Sequence, residues 1–462
     1  MKNVLIIGGG YAGFYTAWGL EKKLRPGEAQ VTVVEPRPFM TYQPFLPEAA
    51  AGSVEPRHVA VSLRRKLTRT NVITGRVVQV RHAEKVAVIR PIDGPDREYP
   101  YDIVVVTAGA VTRTFPIPGI LDEAIGLKSA EEAVAIRESL LGAFERASAM
   151  EPGEERRRTL SVTVVGGGFS GVEVFGELLS LATFLLSKYP MLSPADLDFH
   201  LVEAAQRILP EVSDGPGAWV VRELERRGAH VHLGTQLRAA EGRHIVLSTG
   251  EEYDTGLLIW TAGNAANPMT ARHTDLPIDQ RGLLAVQADL RVFDDVERRV
   301  VEDAWGAGDN AAVPDLTQDA AGARTVPNAQ HAVRQGRRLA KNLVRTLRGR
   351  QPVDYVHHNL GVVATLGLGR GIFQWRGIVV KGFLAWVMHR GYHVLAVPTW
   401  DRKVRVLLGW IPGVLFGRDI VSLPDLRDPR ELFVTGGEPP RAVSVPARSA
   451  EVRRPVQIED AA

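Results

Sequence analysis

The 462-residue chain has no cysteine. That excludes disulfides, thiolate metal sites and iron–sulfur clusters, along with any mechanism that passes electrons through a cysteine pair. Charge of one sign is also scarce. The formal net charge is +3, too small by itself to argue for a nucleic-acid partner. No apolar run reaches the ~18 residues that would mark a membrane span. The chain enters an apolar strand at once, so no signal peptide is expected. Nothing in the pattern assigns a metal ligand. Hydrophobic content of 45% and charged content of 24% are ordinary for globular protein. The length allows two or three domains.

Glycine, by contrast, comes in two ordered clusters. VLIIGGGYAG carries G-x-G-x-x-G through Gly8, Gly10 and Gly13, after a β-rich run and before a helical pattern. In such a loop one glycine makes the tight turn, one admits a pyrophosphate and one packs helix on strand. The helix N-terminus adds amide donors and partial positive charge. The next strand, VTVVE, ends at Glu35, 25 residues past Gly10, about where a carboxylate takes ribose hydroxyls. SVTVVGGGFSG repeats the pattern through Gly166, Gly168 and Gly171, and DFHLVE ends at Glu203. Each copy is followed by a buried-type strand ending in Thr-Ala-Gly: VVVTAG with Ala108 and Gly109, and LLIWTAG with Gly263. Two copies in one order make an internal duplication of dinucleotide-binding units.

Between and after them lie the connections. Pro36 to Gly52 holds four prolines and is expected to be extended and irregular near the first site. Pro116 and Pro118 mark a crossing to a second domain, a helix is expected over 129–149, and EPGEERRR (151–158) is read as a link. GAGDN places Asp309 after a short strand, and a basic helix is expected from Asn328 to Leu347, with Gln330 and Arg334 on one face. GVVATLGLG looks like a strand, and two amphipathic segments follow it. From Arg370 to Arg418 eight basic residues face a single acid, Asp401, with Trp375, Trp386, Trp400 and Trp410 interleaved. That pattern suits a surface of anionic headgroups, or else a packed core or dimer interface. The last 25 residues lack periodicity and are expected to be a disordered tail.

These residues together resemble the flavoprotein reductases with two dinucleotide-binding domains. Among those the chain is similar to the type II NADH:quinone oxidoreductases, single-subunit NADH dehydrogenases that pump no protons. YQPFLPEAAAG, GGGFSGVEVFGEL, LVEAAQRILP, IWTAGN, GAGDN and PNAQHAVRQG carry the likeness, with ATLGLGRG and FLAW further on. It implies an α/β fold with two Rossmann-like domains and a C-terminal amphipathic, membrane-associating region. The FAD domain is then discontinuous, over 1–113 and 277–350, around an NADH domain over 114–276. Residues 351–435 would serve membrane association or dimerisation and 436–462 would be the tail. It also implies FAD on the first loop, NADH on the second, Asp309 on the ribityl chain, and two-electron transfer to menaquinone or ubiquinone. A peripheral place on the cytoplasmic face of the cell membrane, anionic lipid, a homodimer and no nucleic-acid partner complete the expectation.

Four residues carry the implied catalytic roles. Glu173 is either an ordinary carboxylate in the first helical turn, favoured by the dipole, or a group at the nicotinamide–flavin contact that aids proton movement. Gln330 falls on the family's quinone-site motif, which Ala329, Ala332, Gln335 and Gly336 also match. Arg334 departs from that motif, where a second glutamine is usual. Lys381 corresponds loosely to a lysine at the mouth of the quinone tunnel. Glu203, with Ala204 and Ala205 after it, predicts NADH over NADPH, since a carboxylate repels a 2′-phosphate; Arg207 nearby tempers that. Disulfide reductases and sulfide:quinone reductases need cysteines, which this chain lacks. A soluble FAD-dependent NAD(P)H reductase of a small iron–sulfur protein remains an alternative, as does a nucleotide-binding regulator without turnover.

Overall fold

Each glycine-rich strand lies between parallel neighbours in a sheet of its own, in a computed structural model that describes residues 1–320, 322–357 and 361–422. The tail expected over 436–462 lies outside the described residues, as does the end of the 351–435 region. In the first sheet Lys2–Ile7 pairs in parallel with Ala29–Glu35 on one side and Ile103–Val106 on the other. Asn71–Arg81, Val86–Pro91 and Arg97–Pro100 continue one edge. Arg299–Gly306 and Arg291–Asp294 complete the other edge, returning nearly 200 residues after Ile103–Val106. Parallel pairing buries both faces of these strands, and Ile103–Val106 is buried at every position.

The second sheet repeats the arrangement. Ser161–Val165 lies between Asp198–Val202 and Leu257–Trp260, with Ala124–Ile125 and Ala229–His232 at the edges, all parallel. The chain leaves the first sheet through Ala110–Thr112 and comes back through Asn264–Ala266, and these two short strands pair antiparallel. The helix Ala130–Ser148 begins at a Ser129–Glu132 capping box, in which the serine and glutamate satisfy the amides the first turn leaves over.

Several sequence expectations need correction. Residues 36–52 include a short strand Phe39–Thr41, a 3-10 turn Gln43–Phe45 and a helix Leu46–Ala50 whose side chains are all buried. Proline at the first turn of a helix costs little, which is why Pro44 and Pro47 do not keep the segment extended. The link read over 151–158 contains the helix Glu154–Thr159, with Arg156 turned in to the carbonyls of Met150 and Met191. The segment after Gly369 forms two further strands, Gly371–Trp375 and Ile378–Lys381. Their turn is Arg376-Gly377, both at positive φ, as a tight hairpin turn requires. Finally, Phe169–Leu186 is long and apolar enough to cross a membrane, but it is a largely buried core helix.

Candidate functional site

The two glycine loops are built alike, contact for contact. A Cβ on Gly13 would lie 1.9 Å from the Gly8 carbonyl oxygen, and one on Gly171 would lie 1.8 Å from that of Gly166. Those glycines are fixed by packing, and Gly8 and Gly166 by positive φ as well. A Cβ on Gly10 or Gly168 would meet nothing within 4 Å. The open side of each loop is therefore where a ligand fits, at a helix N-terminus suited to phosphate.

The strand-end acids close each loop. Glu35 Oε2 accepts from the Gly9 amide at 2.7 Å, and Glu203 Oε2 accepts from the Gly167 amide at 2.5 Å. Glu203 Oε1 also accepts from Ala205 at 2.7 Å. A carboxylate has about four lone-pair sites, so each acid retains acceptors for ribose hydroxyls. Burial raises the Glu35 carboxyl above its usual range, against the Gly9 amide that lowers it. The sequence pattern did not assign a task to the threonines of the two Thr-Ala-Gly ends. Thr107 Oγ1 donates to the carbonyls of Ile7 and Gly8, and Thr261 Oγ1 to those of Val165 and Gly166. Arg207 is held by Asp214 and the carbonyls of Pro210 and Val212.

A cavity of about 1320 Å³ opens on the first loop. Gly8, Gly10, Glu35, Ala108, Gly109, Asp309, Ala329 and Ala332 line it, with Tyr11 and Lys128. Burial raises the Asp309 carboxyl, and Lys128 opposes the shift. Lys128 itself is pulled down by burial and donates to Asn264 at 2.6 Å. Asn310, fully buried, accepts from Gly109 N at 3.0 Å and donates to the Val106 carbonyl at 3.2 Å. It joins the Thr-Ala-Gly end to the Asp309 loop.

Helix Ala329–Leu347, capped by Asn328, closes one side of this cavity. Gln335 Oε1 accepts from Gly308 N at 2.7 Å, so this motif glutamine supports the Asp309 turn. A Cβ on Gly336 would lie 2.4 Å from the Ala12 carbonyl oxygen; this glycine seats the helix on helix Tyr11–Lys23. Arg334 Nη1 donates to Gln330 Oε1 at 3.2 Å, so the two share a face as expected. Gln330, Arg334 and Glu173 do not line the 1320 Å³ cavity. Lys381 is exposed at the end of the last strand, its ammonium 5.2 Å from the Trp219 ring centroid, and is not brought together with them.

Glu173 is in the second turn of Phe169–Leu186, not the first, and is buried in a polar network. Its Oε1 is 3.1 Å from His389 Nε2 and accepts from Thr365 N at 3.2 Å. Glu177 accepts from Thr365 Oγ1 at 2.9 Å and from Arg418 at 3.1 Å. Glu48, wholly buried, is 3.4 Å from Arg390 Nε and 3.9 Å from His389 Nδ1. Burial pushes the Glu173 carboxyl up to about 8 and holds His389 down at about 3. Around neutral pH the pair is therefore a protonated carboxyl against a neutral imidazole. His389 also faces His393, which is 3.1 Å from Tyr42 OH. Tyr42 packs edge-on against Tyr11, which lines the cavity.

Arg390 and Arg418, counted above among headgroup-facing cations, thus point inward. Arg390 lies between the Trp386 and Trp410 rings, at 4.5 and 4.6 Å from their centroids. The outer surface of helices Phe383–Ala396 and Trp400–Phe416 is apolar instead. Leu395 is 75% exposed, Trp400 80% and Phe416 85%. Leu408 and Leu415 share that surface.

Comparison with known proteins bears on this site. The family model described as pyridine nucleotide-disulphide oxidoreductase matches residues 2–336. A type II NADH:quinone oxidoreductase of Haemophilus influenzae is 28% identical over 79% of this chain and 85% of its own. One from Mycobacterium tuberculosis is 26% identical over 88% of this chain and 87% of its own. Among solved structures, NDH2 from Plasmodium falciparum in complex with NADH superposes with a TM-score of 0.82 at 17% identity. That match covers 91% of this chain and 99% of that one.

Proposed function

The chain belongs to the pyridine nucleotide-disulphide oxidoreductase family, and we propose that this cysteine-free member transfers two electrons from NADH through FAD to a membrane quinone, without pumping protons. The observation that carries the reading is the doubled loop, each copy with an open glycine and a tethered carboxylate. With no cysteine, the chain offers no dithiol that would relay electrons from a bound flavin. When bound, the flavin supplies the redox chemistry, accepting a hydride and releasing two electrons.

The residues supply binding, orientation and protons. Gly10 and Asp309 face one cavity and would hold FAD there, the first loop taking its pyrophosphate. The FAD domain comprises 1–113 and 277–350, and the NADH domain 114–276. Glu203 holds the adenosine ribose of NADH and repels a 2′-phosphate. Arg207 is committed to its own loop, which strengthens the preference. Gln330 orients the quinone, and Arg334 polarises its amide oxygen at 3.2 Å. A reduced quinone takes up protons with its electrons. Glu173, held protonated beside His389, is the proton source. The exposed apolar surface of 383–416 rests in the cytoplasmic face of the cell membrane, with Arg376, Lys381 and Arg405 toward anionic headgroups. A homodimer through part of that region is compatible with it.

Anaerobic mixing tests this directly. NADH should bleach the flavin of the purified protein, and a menaquinone or ubiquinone analogue should restore its colour. Bleaching followed by reoxidation only by an iron–sulfur protein would overturn the quinone assignment in favour of a soluble reductase.

A further inference from the structure

Three histidines and two acids converge on one face of the second sheet. Phe199 turns toward Phe175 of the core helix. Strand alternation therefore puts Asp198 and His200 on the opposite face. In the neighbouring strand His230 is level with His200, and His232 with Val202, on that same face. Tyr253 stacks on His200 at 3.8 Å between ring centroids. His200 Nδ1 lies 3.0 Å from His232 Nε2, and His232 Nδ1 lies 3.5 Å from Glu251 Oε2. One ligand atom each of His200, His232 and Glu251 falls within 4.8 Å of the others.

The ring orientations decide which atoms of this cluster meet. His200 Nε2 is 2.9 Å from Asp198 Oδ1, and His200 is only 5% exposed. With Asp198 beside Nε2, the other ring nitrogen, Nδ1, is the one turned toward His232. His200, His232 and Glu251 so bring three ligand-type atoms close enough to share one cation.

We propose that His200, His232 and Glu251 form a binding site for a divalent zinc-like cation, with Asp198 as the outer carboxylate that orients His200. Two imidazoles and a carboxylate are a common zinc donor set. Two Zn–N bonds of ~2.0–2.1 Å at a tetrahedral angle place their nitrogens about 3.3 Å apart. The observed 3.0 Å needs only a slight widening. The Glu251 side chain, 49% exposed, has room to turn in. An acid on the far nitrogen of a ligating histidine is the usual outer partner of such sites.

The test is equilibrium dialysis of the untagged full-length protein against Zn²⁺ alone, with metal analysis. One Zn²⁺ per chain is expected. His232→Ala should weaken binding by more than about 100-fold, since outer partners alone are worth ~10–100-fold. Glu251→Gln, at a surface position that leaves folding intact, should weaken it by at least about tenfold. His244→Ala removes an exposed imidazole already paired with Asp254 and Glu252 and should leave binding unchanged. Absence of stoichiometric binding would overturn the proposal. So would Glu251→Gln binding like the unmodified protein, or loss of binding only in His244→Ala.

Discussion

Gly10 and Gly168 are glycines for a ligand rather than for the fold. Each has ordinary N-cap dihedrals and open space where a Cβ would stand. Gly10→Ala should therefore leave the melting temperature of flavin-stripped protein unchanged while lowering flavin retention. Gly168→Ala should keep the flavin and raise the Kd for NADH. Gly13→Ala is the contrast, because its Cβ clashes with a backbone carbonyl and it should fail to fold well; thermal melts with flavin quantitation separate the three. At Glu203 the expected change is in nucleotide choice. Glu203→Ser loses hydrogen bonds to a charged acceptor, worth ~1.5–3 kcal/mol. That is roughly ten- to a hundredfold in NADH affinity, and NADPH should gain relative to NADH. Flavin reduction by both nucleotides, mixed rapidly, measures the ratio. An unchanged ratio would mean that Glu203 serves only the Gly167 amide.

At the scale of elements, the network among helices Leu46–Ala50, Phe169–Leu186 and Phe383–Ala396 makes stability depend on pH. Glu173 has a folded pKa of about 8 against 4.5 when unfolded. The native state thus keeps a proton that the unfolded chain releases, and stability falls as pH rises from 4.5 through about 8. His389, at about 3 against 6.5, acts oppositely: its contribution is lost as pH falls below 6.5. Glu173→Gln mimics the protonated acid and should flatten the fall of Tm between neutral and mildly alkaline pH. A Tm profile that keeps its slope would place the titrating group elsewhere, with Glu48 next to test since burial holds it at about 7. The last two helices make a second prediction. Leu408→Asp and Leu415→Asp each remove exposed apolar area worth ~1.5–3 kcal/mol if it is buried in lipid. Co-sedimentation with anionic vesicles should drop by about tenfold or more for each, while flavin bleaching by NADH stays intact. Undiminished sedimentation would move the membrane contact to another surface.

For the whole molecule, the proposed reaction divides into an NADH half and a quinone half, on different elements. Gln330→Ala removes a neutral hydrogen-bonding group worth ~0.5–1.5 kcal/mol. It should slow quinone reduction about three- to tenfold and leave pre-steady-state flavin reduction nearly unchanged. If it slows hydride transfer instead, helix Ala329–Leu347 is not the acceptor side. The duplication explains why such a division is possible. The second unit is inserted between Ala110–Thr112 and Asn264–Ala266, which cross side by side. Each sheet keeps its own loop and carboxylate.

The sequence alone determined both glycine loops and the strand-end acids at Glu35 and Glu203. Those features are local. A tight turn, a helix start and a strand end are set by residues a few positions apart, and the side chains they need are few. The Arg376-Gly377 turn is local too, but strand Ile378–Lys381 runs almost directly into helix Phe383–Ala396, so the two share one apolar stretch with no punctuation except Gly382. What only the tertiary structure decided is where charge is taken out of water. Glu48, Glu173, Glu177, His389, Arg390 and Arg418 are scattered over nearly the whole described chain. Nothing near Arg390 in sequence distinguishes it from the exposed Arg405. Whether an arginine faces lipid or a buried carboxylate depends on which distant element covers it. The protonation of Glu173 depends on the same covering, because desolvation is a property of the packed interior and not of the residues on either side.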